Sequence, residues 1–136
     1  MIMLTTTHQD QMQIVLAESH PLVRRGLMQI MKDGFDRCVV HEAKNATELL
    51  EEVSSGSPDL LVVDLSLPGG PGLGILKSIQ GHVGSAVPVI VTSDDPGPEF
   101  TRSALQAGAT AVVLKERADE ELLYTIESVR QGYNHL

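Results

Sequence analysis

The size, composition and charge of the chain limit what it can be. Its 136 residues suit one ordinary domain, and 42% hydrophobic with 21% charged residues is typical of a globular fold. A formal charge of −8 argues against direct binding to nucleic acid, because such domains neutralise phosphates with a basic face. A single cysteine, Cys38, excludes an internal disulfide or a CxxC metal site. No apolar run reaches the ~18 residues of a membrane span and no signal peptide is visible, so we predict a cytoplasmic protein without membrane contact.

After a polar leader over residues 1–11, the chain alternates between two kinds of segment. Short, β-branched apolar runs predict strands buried on both faces, over 13–17, 38–43, 60–65, 87–92 and 109–114. Apolar residues at helical spacing predict the helices between and after them: Val23, Leu27, Ile30 and Met31; Ala46, Leu49, Leu50 and Val53; Gly72, Ile75, Leu76 and Ile79; Phe100, Ala104 and Ala107; Leu122, Ile126 and Val129. Five strand–helix pairs predict one α/β domain, a three-layer sandwich around a central five-stranded parallel sheet.

Chemistry-bearing residues follow the predicted strands. In parallel sheets the loops beyond the carboxyl ends of the strands carry the function, and Glu18, Asp64, Ser93 and Lys115 stand there. Alone, Asp64 is as well explained as a helix cap. A carboxylate beside an ammonium and a hydroxyl can instead host a phosphoryl group, whose transfer depends on positioning and charge neutralisation.

Five segments, each weak alone, occur in order across residues 13–133. They are 15–27 (VLAESHPLVRRGL), 58–69 (PDLLVVDLSLPG), 88–93 (PVIVTS), 107–109 (AGA) and 114–115 (LK). Together they resemble the receiver domain of two-component response regulators, most closely the NarL/FixJ (LuxR-type) group. The resemblance implies a (βα)5 flavodoxin-like, CheY-like fold. It also implies a receiver over 12–133, with 134–136 starting a linker to an output domain, although a stand-alone receiver is equally compatible with the sequence.

The resemblance assigns roles residue by residue. Asp64 matches the phosphoacceptor, Lys115 the lysine that contacts the phosphoryl oxygens, and Ser93 the switch hydroxyl, with its neighbour Thr92 ranked second. Mg²⁺ is the implied cofactor. Its ligands would be Glu18, Asp64, the backbone carbonyl of Ser66 and, weakly, Ser19.

Four positions depart from the family pattern. Ser19 replaces the second acid, and a neutral hydroxyl is a poor ligand for a hard cation, so we expect reduced Mg²⁺ affinity. Asp94 stands where a small residue is usual, and could either repel a phosphoryl group or supply the missing carboxylate. Val112 replaces the aromatic partner of the switch, and Glu116 replaces a frequent proline.

The sequence therefore predicts a signalling module, not an enzyme of metabolism. It would accept a phosphoryl group from a sensor histidine kinase and control an output, DNA-binding domain, catalysing at most its own phosphorylation and dephosphorylation. Two alternatives stay open: a pseudo-receiver that acts by protein contact without phosphorylation, and a small flavodoxin-like cofactor binder or enzyme. The second is disfavoured because no phosphate-binding loop follows the first strand, where Glu18 would repel an anionic cofactor.

The first and last helices carry more apolar residues than one buried stripe needs. We therefore expect a homodimer through these helices, disrupted by Val23→Glu or Leu123→Glu, whichever side chain is exposed.

Overall fold

The computed structural model describes residues 11–84 and 86–132, in which strands and helices alternate as predicted. The strands are β1 (Met12–Ala17), β2 (Cys38–Ala43), β3 (Leu60–Asp64), β4 (Val89–Ser93) and β5 (Ala111–Leu114). The helices are α1 (Pro21–Gly34), α2 (Ala46–Ser55), α3 (Gly74–Val83), α4 (Pro98–Gln106) and α5 (Ala118–Arg130), with a 3₁₀ turn over Lys115–Arg117. All strand pairs are parallel, in the order β2-β1-β3-β4-β5. The predicted α/β sandwich with a five-stranded parallel sheet is confirmed.

Alternating residues of the buried strands feed two apolar clusters, one on each face of the sheet. Ile14, Leu16 and Val62 belong to the cluster that α1 and α5 cover. Val15, Val63 and Val91 belong to the cluster under α2, α3 and α4. Two-sided burial explains why β3 and β4 lack polar alternation, which is the habit of parallel sheets.

Several element boundaries differ from the sequence prediction. The fourth strand begins at Val89 and not at residue 87, and Pro88, which has no N–H for the ladder, lies just before it. It also runs one residue further, to Ser93. Gly72 was assigned to the third helix but lies outside it, because its φ of +65° is incompatible with a right-handed helix; that helix begins at Gly74.

Asn45 and Glu48 have the three-residue spacing of a capping box just before the apolar stripe of α2, which predicts a capped helix start, and the structure has this cap. Asn45 Oδ1 accepts a hydrogen bond from the backbone N–H of Glu48 at 2.8 Å, and Glu48 Oε1 accepts one from the N–H of Lys44 at 2.8 Å. These bonds satisfy amides that the first helical turn leaves unpaired.

The packing of α1 against α5 bears on the predicted dimer surface. A Cβ added at Gly34 would collide with both δ carbons of Leu123, so Leu123 packs over the end of α1 within the same chain. Val23 is also partly buried in the α1–α5 cluster. The large exposed apolar side chains of these helices are Leu22 (86% exposed) and Tyr124 (67% exposed). Substitutions at Val23 and Leu123 would therefore perturb the domain's own packing as well.

Two predictions concern the ends of the chain. The leader over 1–11 lies outside the described residues except for Gln11, and the linker start at 134–136 lies wholly outside them. Within the described part of the chain, no helix has the length and apolarity that crossing a bilayer demands.

Candidate functional site

Three charged side chains meet at the carboxyl edge of the sheet. Asp64 ends β3, Glu18 follows β1, and Lys115 follows β5. The Lys115 ammonium lies 2.7 Å from Oδ2 of Asp64 and 2.9 Å from Oε1 of Glu18. The sheet order places β3 between β1 and the β4–β5 pair, so the long lysine side chain reaches back over β4 to both acids.

All three groups are withdrawn from solvent. Glu18 is 0% exposed, Asp64 is 6% exposed, and 10% of the Lys115 side chain is exposed. Burial by itself raises the pKa of the Asp64 carboxyl, but hydrogen bonds from Lys115 and Ser66 outweigh it and hold the pKa below its usual value. Burial lowers the pKa of Lys115, and its bonds to Asp64 and Glu18 reverse that effect and raise the pKa. The site therefore holds an ammonium between carboxylates at neutral pH.

Both oxygens of Asp64 already accept hydrogen bonds. Oδ1 accepts from the backbone N–H of Ser66 at 2.9 Å and from its hydroxyl at 2.8 Å, while Oδ2 accepts from Lys115. The resemblance to receiver domains implies a role for the Ser66 carbonyl, and nothing in the sequence indicates that the Ser66 hydroxyl contacts Asp64. Ser66 thus orients the Asp64 carboxylate through two hydrogen bonds.

The loop between β1 and α1 is tied to the rest of the molecule through Glu18. Its Oε2 accepts a hydrogen bond from the backbone N–H of His20 at 3.0 Å. Its carbonyl oxygen accepts one from Nη1 of Arg24 at 2.9 Å, and Nε of Arg24 donates to Oε1 of Glu42 on β2 at 2.8 Å. Sequence reasoning missed Arg24, because nothing in the local pattern tells that an α1 side chain reaches both a loop carbonyl and a neighbouring strand.

Two of the predicted switch residues lie near Asp64, since Thr92 pairs with it in the sheet and Ser93 lines the same cleft, but their hydroxyls differ in bonding. Ser93 Oγ accepts a hydrogen bond from the backbone N–H of Asp95 at 2.9 Å, which closes a turn after β4. The neighbouring Thr92 hydroxyl is buried and finds no hydrogen-bond partner in the part of the chain that is described. Val112 pairs with Val91 on β4 and packs on the cluster under α2, α3 and α4.

A cleft of about 400 Å³ opens beside the acid–lysine group. Its polar lining includes Asp64, Ser66, Ser93 and Asp94, and its apolar lining includes Leu65, Leu73 and Phe100. The cleft gives a phosphoryl-sized group direct access to the edge of Asp64, and it leaves room for the donor that carries the group.

The hard oxygen ligands at this edge of the sheet fit a magnesium ion, but the number of acidic ligands is small. Residues 11–84 and 86–132 contain no group of three or more His, Cys, Asp or Glu side chains arranged for a metal. Mg²⁺ is commonly held by one or two carboxylates and keeps several waters, so Glu18 and Asp64 with a backbone carbonyl meet its needs. Ser19 is half-buried in the loop between β1 and α1, directly after Glu18. Asp94 lies on the outer side of Lys115, 3.9 Å from its ammonium, with its side chain 87% exposed.

Comparisons with known proteins agree with this architecture. Residues 14–127 match the family model described as the response regulator receiver domain. The chain is 32% identical over 131 residues to the nitrate/nitrite response regulator protein NarL of Escherichia coli (strain K12). It is 38% identical over 115 residues to the uncharacterized transcriptional regulatory protein YhcZ of Bacillus subtilis (strain 168). The match covers 93% of the chain and 58% of NarL, and 84% of the chain and 53% of YhcZ, so the chain spans little more than half of either relative.

A solved structure gives the same result for the fold. The crystal structure of a LuxR-family two-component response regulator from Aurantimonas sp. SI85-9A1 superposes with a TM-score of 0.84 at 30% identity. The match covers 93% of this chain and 90% of that one. A small flavodoxin-like cofactor binder or enzyme, the second alternative from the sequence, gains no support from these matches.

Proposed function

The chain belongs to the response regulator receiver domain family, and from that premise we propose that it accepts a phosphoryl group on Asp64. The observation that carries the proposal is the buried Asp64–Lys115–Glu18 group, whose Asp64 lines a cleft of about 400 Å³. The ammonium can neutralise charge on a phosphoryl oxygen without a change of protonation, as phosphoryl transfer demands.

In the proposed reaction, a carboxylate oxygen of Asp64 attacks the phosphorus of a phosphorylated histidine on a sensor kinase. The P–N bond breaks, its electron pair stays on the imidazole nitrogen, and the product is an acyl phosphate on Asp64. Lys115 gives up its contact with Oδ2 of Asp64 and pairs with a phosphoryl oxygen. The hydroxyl of Ser93 accepts from the Asp95 N–H at 2.9 Å and donates to the Asp95 carbonyl over 3.5 Å, and it exchanges this long bond for one to another phosphoryl oxygen. Catalysis by the chain is limited to this transfer and to hydrolysis of its own acyl phosphate.

Mg²⁺ would be held by Glu18, Asp64 and the carbonyl of Ser66, with Ser19 as a weak neutral neighbour. Receiver domains in general bind Mg²⁺ at the phosphorylation site. The ion, when bound, offsets charge on the phosphoryl oxygens. The chain's own contribution is to orient Asp64 through Ser66 and to hold Glu18 beside the Lys115 ammonium.

A direct test uses acetyl phosphate and Mg²⁺ with the full chain. We expect intact-protein mass spectrometry to show one added phosphoryl group that hydroxylamine removes, as it does from acyl phosphates. Borohydride reduction should convert the modified residue to homoserine at position 64. Modification elsewhere would contradict the assignment of Asp64, and no modification with acetyl phosphate or a kinase would favour the pseudo-receiver that acts by protein contact alone.

Ser19 sets the expected metal affinity. We expect Ser19→Asp to tighten Mg²⁺ binding by about 1–3 kcal/mol, roughly 5- to 150-fold, because it adds an ionised ligand. Without Mg²⁺ the new charge should destabilise the domain, since it lies next to buried Glu18. Isothermal titration of Mg²⁺ measures the effect, with the isosteric, uncharged Ser19→Asn as the control. Equal affinities for the Asp and Asn variants would show that position 19 is not a ligand.

The partners and assembly follow from the same proposal. A histidine kinase supplies the phosphoryl group, a DNA-binding domain of the longer regulator provides the output, and the cytoplasmic location stays a prediction.

We also propose a homodimer through α1 and α5, supported by exposed Leu22 and Tyr124. We expect the Leu22→Glu and Tyr124→Glu variants to sediment as monomers, whereas the wild-type chain should sediment as a dimer. A wild-type chain that stays monomeric at high concentration, with or without beryllofluoride, would contradict it.

A further inference from the structure

Arg24 links the metal-side acid of the site to the edge of the sheet. Its side chain is only 12% exposed although it lies on the first turn of α1. Nη1 donates to the Glu18 carbonyl at 2.9 Å, and Nε donates to Oε1 of Glu42 at 2.8 Å. One planar guanidinium therefore bridges the loop after β1 and the edge strand β2.

The loop that Arg24 holds is short, and besides the bonds of Glu18 it is held by the Arg24 backbone N–H, which donates to the His20 carbonyl at 2.8 Å. It consists of residues 18–20 between β1 and α1, and His20, the N-cap of α1, makes no side-chain capping bond. The Glu18 N–H bonds to the Ala43 carbonyl at 3.0 Å, and the His20 N–H bonds to Oε2 of Glu18 at 3.0 Å. The direction of the Glu18 carboxylate thus depends on the conformation of this three-residue loop. Arg24 anchors the same loop through the Glu18 carbonyl.

We propose that Arg24 is a positioning residue for the acidic site, which fixes the Glu18–Ser19 segment so that Glu18 faces Lys115 and bound Mg²⁺. With a serine at position 19, Glu18 is the one acid of this loop, so its orientation matters more than where two acids share the ion. The bridge needs two donors in a rigid fork, which lysine cannot supply. The Mg²⁺ part rests on the proposed function, whereas the orientation of the loop does not.

The experiment compares the full chain with Arg24→Met, Arg24→Lys and Glu42→Ala, and uses Arg25→Met as the control. Arg25 is the exposed neighbour, with the same side chain and charge. Two quantities are measured: hydrogen exchange of the His20 amide relative to amides in α3, and the Kd for Mg²⁺. Outer contacts that orient a metal ligand typically contribute 10- to 100-fold to affinity.

We expect Arg24→Met to lose His20 protection while α3 stays protected, and to weaken Mg²⁺ binding about 10-fold. Arg24→Lys and Glu42→Ala should show smaller changes in the same direction, and Arg25→Met none. If Arg24→Met does not fold, Glu42→Ala carries the test. Unchanged His20 protection and Mg²⁺ affinity in both would overturn the proposal, as would equal loss in Arg25→Met, which would show a general charge effect. If the wild-type chain binds no Mg²⁺, the metal part of the proposed function fails, and the His20 exchange still decides whether Arg24 orients the loop.

Discussion

Replacing Lys115 with methionine should lower the free energy of unfolding by about 3–5 kcal/mol at pH 7, the usual cost of leaving buried charge without its partner. The reason is that Glu18, which is fully buried, and Asp64 would then face each other without the ammonium that now lies within 3 Å of both. Methionine has nearly the same length, so packing is preserved and the loss is electrostatic. Urea unfolding followed by circular dichroism measures it.

Two variants make this result specific. Arg117→Met removes a cation from exposed ion pairs with Glu120 and Glu121, and should change stability far less, because solvent screens exposed pairs. The double variant Glu18→Gln/Lys115→Met removes one of the stranded charges and should recover a large part of the loss. The deficit of Lys115→Met should also shrink in acid, where the carboxyls take up protons. If Lys115→Met alone were as stable as the wild type, water would already screen the charges of Glu18 and Asp64.

Replacing Asp64 with asparagine should abolish phosphoryl incorporation while the fold is retained. The amide has no nucleophilic carboxylate oxygen, and its oxygen can still accept from the Ser66 N–H and hydroxyl. Its NH₂ group would meet the Lys115 ammonium, but repulsion between Asp64 and Glu18 is relieved. We therefore expect stability at pH 7 to change by no more than about 2 kcal/mol. Asp59→Asn, at the opposite end of β3, is the matched control and should be modified like the wild type.

The pH dependence of the same variant gives a second test. The pKa of Asp64 is lower in the folded chain than its ordinary value, so the wild type has extra stability above about pH 4 and loses it as pH falls through the folded pKa. Asp64→Asn has no such group, and its stability should fall less over this acid range. Continued phosphorylation of the variant, or an unchanged acid limb, would contradict the role given to Asp64.

The sequence predicted the fold because its patterns are local. Apolar runs such as residues 60–64 and the Asn45–Glu48 cap depend only on near neighbours, and both occur as predicted. The meeting of Glu18, Asp64 and Lys115 was also predictable, since parallel strands bring their carboxyl ends to one edge.

What the sequence could not predict depends on side-chain direction across elements. The contact of Arg24 on α1 with Glu42 on β2 arises from tertiary placement and has no periodic signal. The bond from the Ser66 hydroxyl to Asp64 is local, but it depends on the rotamer of Ser66, which no sequence pattern specifies. The surplus apolar residues of α1 and α5 could not be divided into exposed and buried ones either. Leu123 proves to lie over Gly34, whereas Leu22 is open.

The two apolar faces of the sheet have a consequence for how binding at its edge could be coupled to the helices. Glu18, Asp64 and Thr92 share strand parity with residues of the cluster under α1 and α5, whereas Ser93 shares parity with the cluster under α2, α3 and α4. A ligand that contacts both Asp64 and Ser93 would therefore contact side chains of both parities. If such a ligand favours one arrangement of a helix layer, a protein that binds the same arrangement raises the ligand affinity by the factor by which the ligand raises its own. A protein that binds the helices on either face of the sheet could thus respond to ligand binding at this edge or change its affinity.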